Sequence, residues 1–337
     1  MTDATSPRKP FRLGFFSYLE GDKPASEIYL EAVEIYTRAD ELGLDRGWVA
    51  HHHFGHHGGL PSPIVFFASL AGRTRQIGFG TAVLTLSTEH PIHLVENAAV
   101  FETLHPGRLD LGFGTGFASD AVLDTFDQPN RNRREIYDQA IVRIKDALAD
   151  APLNDAGDTL FPPAPQLNER LWESPGSVER VIQAGKRGSG LLLSRVAIGT
   201  DRDTDEVQRE LVDAYVGALP EGVAPRIALS RTVYVSRDPQ SAFENLKAGV
   251  LAGREAGAKQ GRPQPQRTIE EDFAHFSIHW GEPEQVIASL KEEPLLPEIT
   301  DLVVQFSPGT QRLEQTLEAL ELLATEVAPA LGWEPNR

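Results

Sequence analysis

The sequence predicts an α/β fold of the TIM-like (β/α)8 barrel type with insertions, and three observations lead to this prediction. Short β-rich runs alternate with longer helical patterns along 337 residues, which is the order that βα units of a parallel sheet require. Eight such units are the number that closes a barrel. A doubly wound open sheet would carry a glycine-rich nucleotide fingerprint after its first strand, whereas Ser17-Tyr18-Leu19-Glu20 stands there.

Each predicted strand is a short run of apolar and β-branched residues that ends at a polar or glycine-rich loop. The first helix is predicted to begin with Ser26 as its N-cap and to end at Gly43. The seventh strand is long, and an interruption is expected within it. The predicted strands span residues 11–16, 47–50, 76–82, 108–113, 170–173, 190–194, 226–236 and 301–306.

The chain is predicted to form one barrel domain over residues 11–332, preceded by a flexible N-terminus of residues 1–10. Two insertions are expected near residues 150–169 and 259–281, where Pro, Gly and polar residues are frequent. An irregular segment as long as the second one is often a lid or a binding loop. Its aromatic residues, together with His275 and His279, are equally consistent with a packed docking patch.

Composition excludes several classes of function. The net charge of −17 disfavours binding to nucleic acid or to an anionic membrane surface. The absence of cysteine excludes disulfides, thiolate metal ligands and a cysteine nucleophile, and it fits a reducing compartment. Neither a signal peptide nor an apolar run of about 18 residues is present. A cytoplasmic enzyme is therefore expected.

Histidines crowd into the loop after the second predicted strand. Because barrel active sites lie where strands end, His52 and His53 are the candidate catalytic residues. Side chains alternate along a strand, so one of the two should point inward and the other outward. His56 and His57 are interpreted as exposed loop residues. No histidine occurs between His105 and His275, so no metal site is predicted.

Two further segments offer groups for a phosphate-bearing ligand. Glu173-Ser174-Pro175-Gly176-Ser177 precedes a predicted helix, where amide donors, hydroxyl groups and the helix dipole favour an anion. Ordinary N-capping by Ser174 or Ser177 explains the same residues. Arg195 follows Ser194 at the end of the sixth strand and could supply a guanidinium to the phosphate. Gly112-Phe113-Gly114-Thr115-Gly116 favours close approach of the backbone to a flat ligand.

Taken together, these motifs resemble the bacterial luciferase-like flavin monooxygenases from about Phe11 to Leu331. The resemblance is carried by four segments in the family's order. They are Trp48-Val49-Ala50-His51-His52-His53-Phe54, the segment from Gly80-Thr81-Ala82-Val83 to His90-Pro91-Ile92-His93, the run 104–116 with Gly107-Arg108-Leu109, and Phe306-Ser307-Pro308-Gly309 with the closing helix.

The resemblance implies an enzyme that receives reduced FMN from a separate NAD(P)H-dependent flavin reductase. Through a C4a-peroxyflavin formed with O2, it would oxidise a small organic substrate such as an aldehyde, ketone or alkane. Homodimers are common in the family. By position, His52 matches the catalytic histidine, whose imidazole suits proton transfer near neutral pH. The residues matching the flavin site are Ala82 and Val83 (a segment that often carries a non-proline cis peptide), Gly114, Thr115, Ser174, Gly176, Ser177, Ser194 and Arg195.

Two departures from the family pattern concern the site. His51 stands where the family has glutamate, and Thr115 stands where luciferase has a phosphate-binding arginine. Arg195, or a cluster of Arg131, Arg133 and Arg134, would then hold the phosphate. Two alternatives remain open, namely a deazaflavin-dependent oxidoreductase of the same superfamily and a non-catalytic flavin-binding protein.

Overall fold

A computed structural model describes residues 10–54, 59–116, 120–127, 132–197, 200–259, 261, 266–308 and 312–336. Eight parallel strands form a closed barrel in the order β1-β2-β3-β5-β6-β7-β8-β10, because β10 pairs with both β8 and β1. The predicted barrel is confirmed. The strands are β1 Arg12–Ser17, β2 Arg46–Val49, β3 Gly78–Thr81, β4 Leu84–Thr85, β5 Leu109–Gly114, β6 Leu171–Glu173, β7 Gly190–Leu193, β8 Ile227–Val235, β9 His279–Gly281 and β10 Asp301–Gln305.

Helices surround the barrel, and within the described ranges each is too short or too polar to cross a bilayer. They are α1 Ala25–Glu41, α2 Pro63–Ala71, α3 Pro91–Leu104, α4 Asp120–Thr125, α5 Arg133–Leu148, α6 Val178–Lys186, α7 Thr204–Val216, α8 Pro239–Lys259, α9 Ile269–His275, α10 Pro283–Lys291, α11 Leu313–Leu322 and α12 Ala328–Ala330. Short 3-10 turns at Pro165–Arg170 and Leu296–Glu298 and a π-turn at Leu323–Val327 complete the described elements.

Three local predictions differ from the structure. Ser26 is not the N-cap of α1, because Pro24 occupies that position and its carbonyl already accepts from the Glu27 amide. Strand β8 is continuous, since its last residues pair with β9 instead of ending at the barrel rim. The segment expected to be irregular before His279 contains α9, which begins at a capping box formed by Thr268 and Glu271.

In the barrel interior, large aromatic side chains pack against glycine residues of the neighbouring strands. Trp48 and Trp172 meet edge to face with ring centroids 5.9 Å apart. Glycine faces each indole, because a Cβ at Gly80 would lie 2.2 Å from Trp48 and one at Gly190 would lie 2.4 Å from Trp172. With Phe16, Ala50, Leu192, Ala228 and Val303 these indoles form an apolar interior cluster. This cluster is the floor on which the strand-end residues rest.

A buried charged layer lies inside the barrel at the N-terminal side of this cluster. Asp110 is fully buried and accepts from Arg46 Nε at 2.6 Å and from Trp172 Nε1 at 2.8 Å. Arg12 lies 3.4 Å from Asp110 and 2.7 Å from Asp301. Ion pairs of this kind link the strands that carry them. They lie at the N-terminal end of the barrel, so the opposite mouth is left for ligands.

Candidate active site

His52 and Tyr18 meet at the C-terminal mouth of the barrel. Alternation continues inward from Trp48 and Ala50 to His52, whose ring centroid lies 6.4 Å from that of Tyr18. Tyr18 follows β1 and packs edge to face on Phe16 at 4.6 Å. Both side chains are half-buried. An imidazole therefore stands beside a phenol on an apolar floor that solvent can reach, which is an arrangement suited to proton transfer to or from a bound ligand.

The segment after β3 borders the same floor. Ala82 and Val83 are half-buried against the interior cluster, and the peptide bond between them is cis, as the resemblance implies. A Cβ at Gly114 would lie 2.4 Å from Val83 Cγ2, and one at Gly116 would lie 2.5 Å from Thr85. The glycines after β5 thus allow the two loops to pack together. Between them, Thr115 is half-buried.

His51 holds this segment in place. Its Nδ1 accepts a hydrogen bond from the Thr85 amide at 3.1 Å, and its Nε2 lies 3.5 Å from Glu89 Oε1. A neutral imidazole that accepts at Nδ1 carries its proton on Nε2. Burial and the neighbouring His53 and His52 lower the pKa of His51 to about 3. The residue that replaces the family's glutamate is therefore a neutral acceptor for the backbone beside Ala82–Val83.

His53 lies beside His51, with ring centroids 4.6 Å apart. Its Nε2 lies 3.1 Å from Thr88 Oγ1, and because that hydroxyl donates to the Thr85 carbonyl, His53 is the donor. The ring packs on Phe126 with centroids 4.5 Å apart, and burial lowers the pKa of His53. These contacts favour a supporting role for His53 in the turn before α3. His52 is then the candidate catalytic residue that faces the mouth.

One group of potential metal ligands occurs among the described residues, and the sequence had not predicted it. The ligand atoms of His51, His53 and Glu89 lie within 4.8 Å of one another. However, the nitrogen that His51 could offer, Nε2, carries the proton, because Thr85 occupies Nδ1. A metal would have to displace that backbone hydrogen bond. The cluster is thus better described as hydrogen-bonded support than as a metal centre.

We expect the His51 imidazole to stay neutral from pH 8 down to pH 5. Its low pKa means that the unfolded chain, with histidine near 6.5, takes up the proton first, so this group costs stability as pH falls below about 6.5. Nitrogen-detected NMR of the histidine side chains should show an Nε2–H tautomer for His51 with shifts that do not change in this range. A titration midpoint above pH 5 would contradict the assignment.

The turn between β6 and α6 presents an open helix N-terminus. Ser177 is the N-cap of α6, but its hydroxyl makes no capping hydrogen bond. Gly176 is exposed, and a Cβ added there would meet nothing within 4 Å. Ser174 is half-buried, and its amide donates to the Phe113 carbonyl at 3.0 Å. The amides of the first helical turn, a hydroxyl that makes no capping hydrogen bond and open space together fit a phosphate.

Glu173 supports this turn without facing it. Its buried carboxylate accepts from Tyr137 at 2.6 Å and from Arg187 Nε and Nη2 at 2.9 and 2.6 Å. These donors occupy three of the about four acceptor sites of the carboxylate. Of the arginines proposed as alternative phosphate ligands, Arg133 and Arg134 begin α5, and Arg131 lies outside the described residues.

Ser194 and Arg195 follow β7, and the guanidinium turns toward β8 and β1. The carbonyl of Ser194 accepts from Gln208 at 2.6 Å. Arg195 Nη1 lies 3.4 Å from Thr232 Oγ1, and the guanidinium interacts electrostatically with Tyr18. Sequence reasoning did not select Tyr18, Thr232 or Glu89. The strand-end rule could have found Tyr18, whereas Thr232 lies within the continuous strand β8. The approach of Glu89 to His51 depends on the turn before α3.

The other predicted histidines are bound to other partners or lie outside the described ranges. His275 Nδ1 lies 2.7 Å from Asp203 Oδ1, and His279 Nδ1 lies 2.7 Å from Ser289 Oγ. Phe273 and Trp280 pack on Phe243 with centroids 5.6 and 5.2 Å away. These contacts support the docking-patch interpretation of the second insertion. His56 and His57 are not among the described residues.

The chain is similar to known proteins over most of its length. A family model described as luciferase-like monooxygenase matches residues 13–294. N-acetyl-S-alkylcysteine monooxygenase of Bacillus subtilis (strain 168) is 26% identical over 332 residues, which cover 92% of this chain and 96% of that protein.

Two solved structures share the fold. The oxygenating constituent of 3,6-diketocamphane monooxygenase from Pseudomonas putida, a type II Baeyer-Villiger monooxygenase in complex with FMN, superposes with a TM-score of 0.73 at 17% identity, covering 97% of this chain and 100% of that one. An F420-dependent secondary alcohol dehydrogenase in complex with an F420-acetone adduct gives 0.64 at 17% identity, covering 95% and 99%. Since the family model spans most of the chain, this protein belongs to the luciferase-like monooxygenase family, as a flavin-dependent monooxygenase built on a closed α/β barrel.

Proposed function

We propose that the enzyme uses reduced FMN and O2 to oxidise a small organic substrate, such as an aldehyde, ketone or alkane, at the C-terminal mouth of the barrel. The observation that carries the proposal is the placement of His52 and Tyr18 beside Ala82–Val83 on one apolar floor. A flat ring bound on this floor would have an imidazole and a phenol at its edge. Reduced FMN supplies the electrons for O2 activation, and His52 moves a proton to or from the reacting atoms.

The turn at Ser174, Gly176 and Ser177 would hold the flavin phosphate. This turn follows β6, while Gly114 ends the adjacent strand β5 and Thr115 follows it, so both belong to the same rim. The helix dipole and the free amides at the start of α6 favour a dianion. In a protein whose net charge is −17, such local groups are needed to attract a phosphate.

A separate NAD(P)H-dependent reductase is the proposed transient partner, and the enzyme would work with it in the cytoplasm. We also propose a homodimer. Large apolar side chains are exposed on the neighbouring helices α1, α2 and α3, and such side chains mark interaction sites where they form one patch. They are Leu30, Val65, Val100 and Leu104, with exposed fractions of 67%, 69%, 49% and 68%. Analytical ultracentrifugation should therefore give twice the chain mass.

A deazaflavin coenzyme is the second candidate, because one structural neighbour is named as F420-dependent. The turn before α6 would suit the phosphate of either cofactor. The two candidates differ in chemistry, since a deazaflavin enzyme would transfer hydride and would not consume O2.

The test is an anaerobic titration of the purified protein with reduced FMN and, separately, with reduced F420. Each titration would be followed by an oxygen-consumption assay with an NADH-dependent reductase and a panel of aldehydes, ketones and alkanes. We expect tighter binding of reduced FMN and oxygen-dependent loss of at least one substrate. Preferential binding of F420, or no binding of reduced FMN, would overturn the proposal.

A further inference from the structure

Arg195 is an arginine with unused donors at the mouth of the barrel. A guanidinium has five N–H donors, and among the described residues only one of those of Arg195 is used, in a long hydrogen bond of 3.4 Å to Thr232. Its Nε is buried without a partner. No carboxylate of the described part of the chain lies within 4 Å of it. Burial lowers the pKa of Arg195, and the nearby Tyr18 only partly offsets this.

Arg231 and Arg108 offer a contrast, because their guanidinium groups are well supplied with acceptors. Arg231 is held by both oxygens of Glu293 at 2.7 and 3.0 Å, by Gln208 at 2.7 Å and by Asp205 at 3.1 Å. Arg108 donates to the carbonyls of Ile77, Ala71 and Thr74. A largely desolvated guanidinium that meets neither a carboxylate nor a backbone carbonyl among the described residues is costly. Such a group is stabilised when an anionic ligand binds it.

The direction of Arg195 separates it from the proposed phosphate turn. Strand β7 lies between β6 and β8 in the barrel. The phosphate turn follows β6, whereas Arg195 contacts Thr232 of β8 and approaches Tyr18 after β1. The guanidinium therefore extends toward the far side of the mouth. There, Tyr18 stands between Arg195 and His52, whose ring lies 6.4 Å from that of Tyr18.

The two neighbours of Arg195, Thr232 and Tyr18, differ in the hydrogen bonds that they can make. Thr232 donates its hydroxyl proton to the Ser307 carbonyl at 2.7 Å, so its oxygen can only accept from Arg195 and orient it. The Tyr18 hydroxyl makes no hydrogen bond to another described residue and can donate to a ligand. Burial raises the pKa of Tyr18, the neighbouring Arg195 lowers it in part, and Glu20 adds a smaller upward shift.

We propose that Arg195 and Tyr18 bind a carboxylate of the organic substrate, with Thr232 as the positioning residue for the guanidinium. The enzyme would then oxidise a small organic anion whose other end reaches His52. This inference rests on the proposed function, because it assigns a substrate class to the same mouth. Charge-assisted hydrogen bonds should make a carboxylate bind about tenfold or more tightly than its neutral amide.

The test uses matched pairs of probes, namely acetate, hexanoate and benzoate against the corresponding amides. Binding to the wild-type protein, Arg195→Met, Arg195→Lys and the exposed control Arg73→Met would be measured by ligand-detected NMR and calorimetry. We expect at least one carboxylate to be preferred tenfold by the wild type and by Arg73→Met. The preference should disappear in Arg195→Met and be partly kept in Arg195→Lys. No preference for any carboxylate, or a preference that survives Arg195→Met, would overturn the inference.

Flavin titrations of the same variants distinguish other anions. If Arg195 instead holds the flavin phosphate, Arg195→Met will weaken FMN but not riboflavin. If it holds the anionic ring of reduced flavin, the variant will weaken reduced FMN but not oxidised FMN. Either result would overturn the inference that Arg195 binds a substrate carboxylate, but it would leave the proposed function intact. The inference expects all flavin affinities to stay within about twofold of wild type. Failure of the wild type to bind reduced FMN would overturn the proposed function itself.

Discussion

Replacing His52 by alanine is expected to lower turnover by about 10²–10⁴-fold, the usual contribution of a positioned general acid or base. His52 is the histidine that continues the inward face of β2 and stands beside Tyr18, whereas His51 and His53 are bound to the turn at Thr85–Thr88. Since the imidazole acts on the reacting atoms, affinity for reduced FMN should change little. The measurement is oxygen-dependent loss of a substrate that the wild type oxidises, alongside an anaerobic flavin titration.

His93→Ala is the matched control for His52→Ala, because His93 is exposed on α3. It should keep wild-type turnover. His53→Ala is informative as well, since its ring supports the turn before α3 and its removal should affect stability more than the chemical step. Unchanged turnover in His52→Ala, or equal losses in His52→Ala and His93→Ala, would remove His52 from the mechanism.

The barrel and the ends of its strands were predictable because they follow from short-range patterns. Parallel strands buried on both faces are continuous apolar runs, and their boundaries agree with the structure to within one or two residues for most strands. Once a barrel is predicted, the strand-end rule places His52, Ala82 and Ser177 on one rim without any coordinates. The alternation of His52 and His53 between two faces follows from the period of a strand.

The hydrogen-bonding state of individual side chains was not predictable. The protonated nitrogen of His51 depends on the Thr85 amide, which approaches it only when the segment after β3 folds back toward β5. Likewise, the direction of Arg195 depends on irregular backbone beyond β7 and on Thr232 from a strand more than 30 residues away. Sequence spacing could show that Arg195 lies at a strand end, but it could not show which side of the mouth it faces.

Asp110→Asn is expected to cost about 3 kcal/mol of unfolding free energy, the lower end of the range for breaking a buried ion pair, since Arg12 and Arg46 keep some solvent contact. Burial alone would raise the pKa of Asp110, but Arg46, Arg12 and the Trp172 hydrogen bond hold it well below its ordinary value. The carboxylate's stabilisation is therefore fully present above the pKa of an unfolded aspartate, about 3.9, and is lost as pH falls toward the folded value.

Urea unfolding of the wild type and Asp110→Asn should accordingly show a constant difference from pH 8 to pH 5 that narrows below about pH 4. Asp22→Asn, at an exposed position, should match the wild type throughout. A constant difference down to pH 3 would mean that the charge of Asp110 is not what stabilises the interior. Asp110 and Trp172 also underlie the apolar floor of the mouth. Asp110→Asn should therefore weaken the binding of reduced FMN as well as the fold. Such a joint loss would show that the buried ion pairs support the site above them.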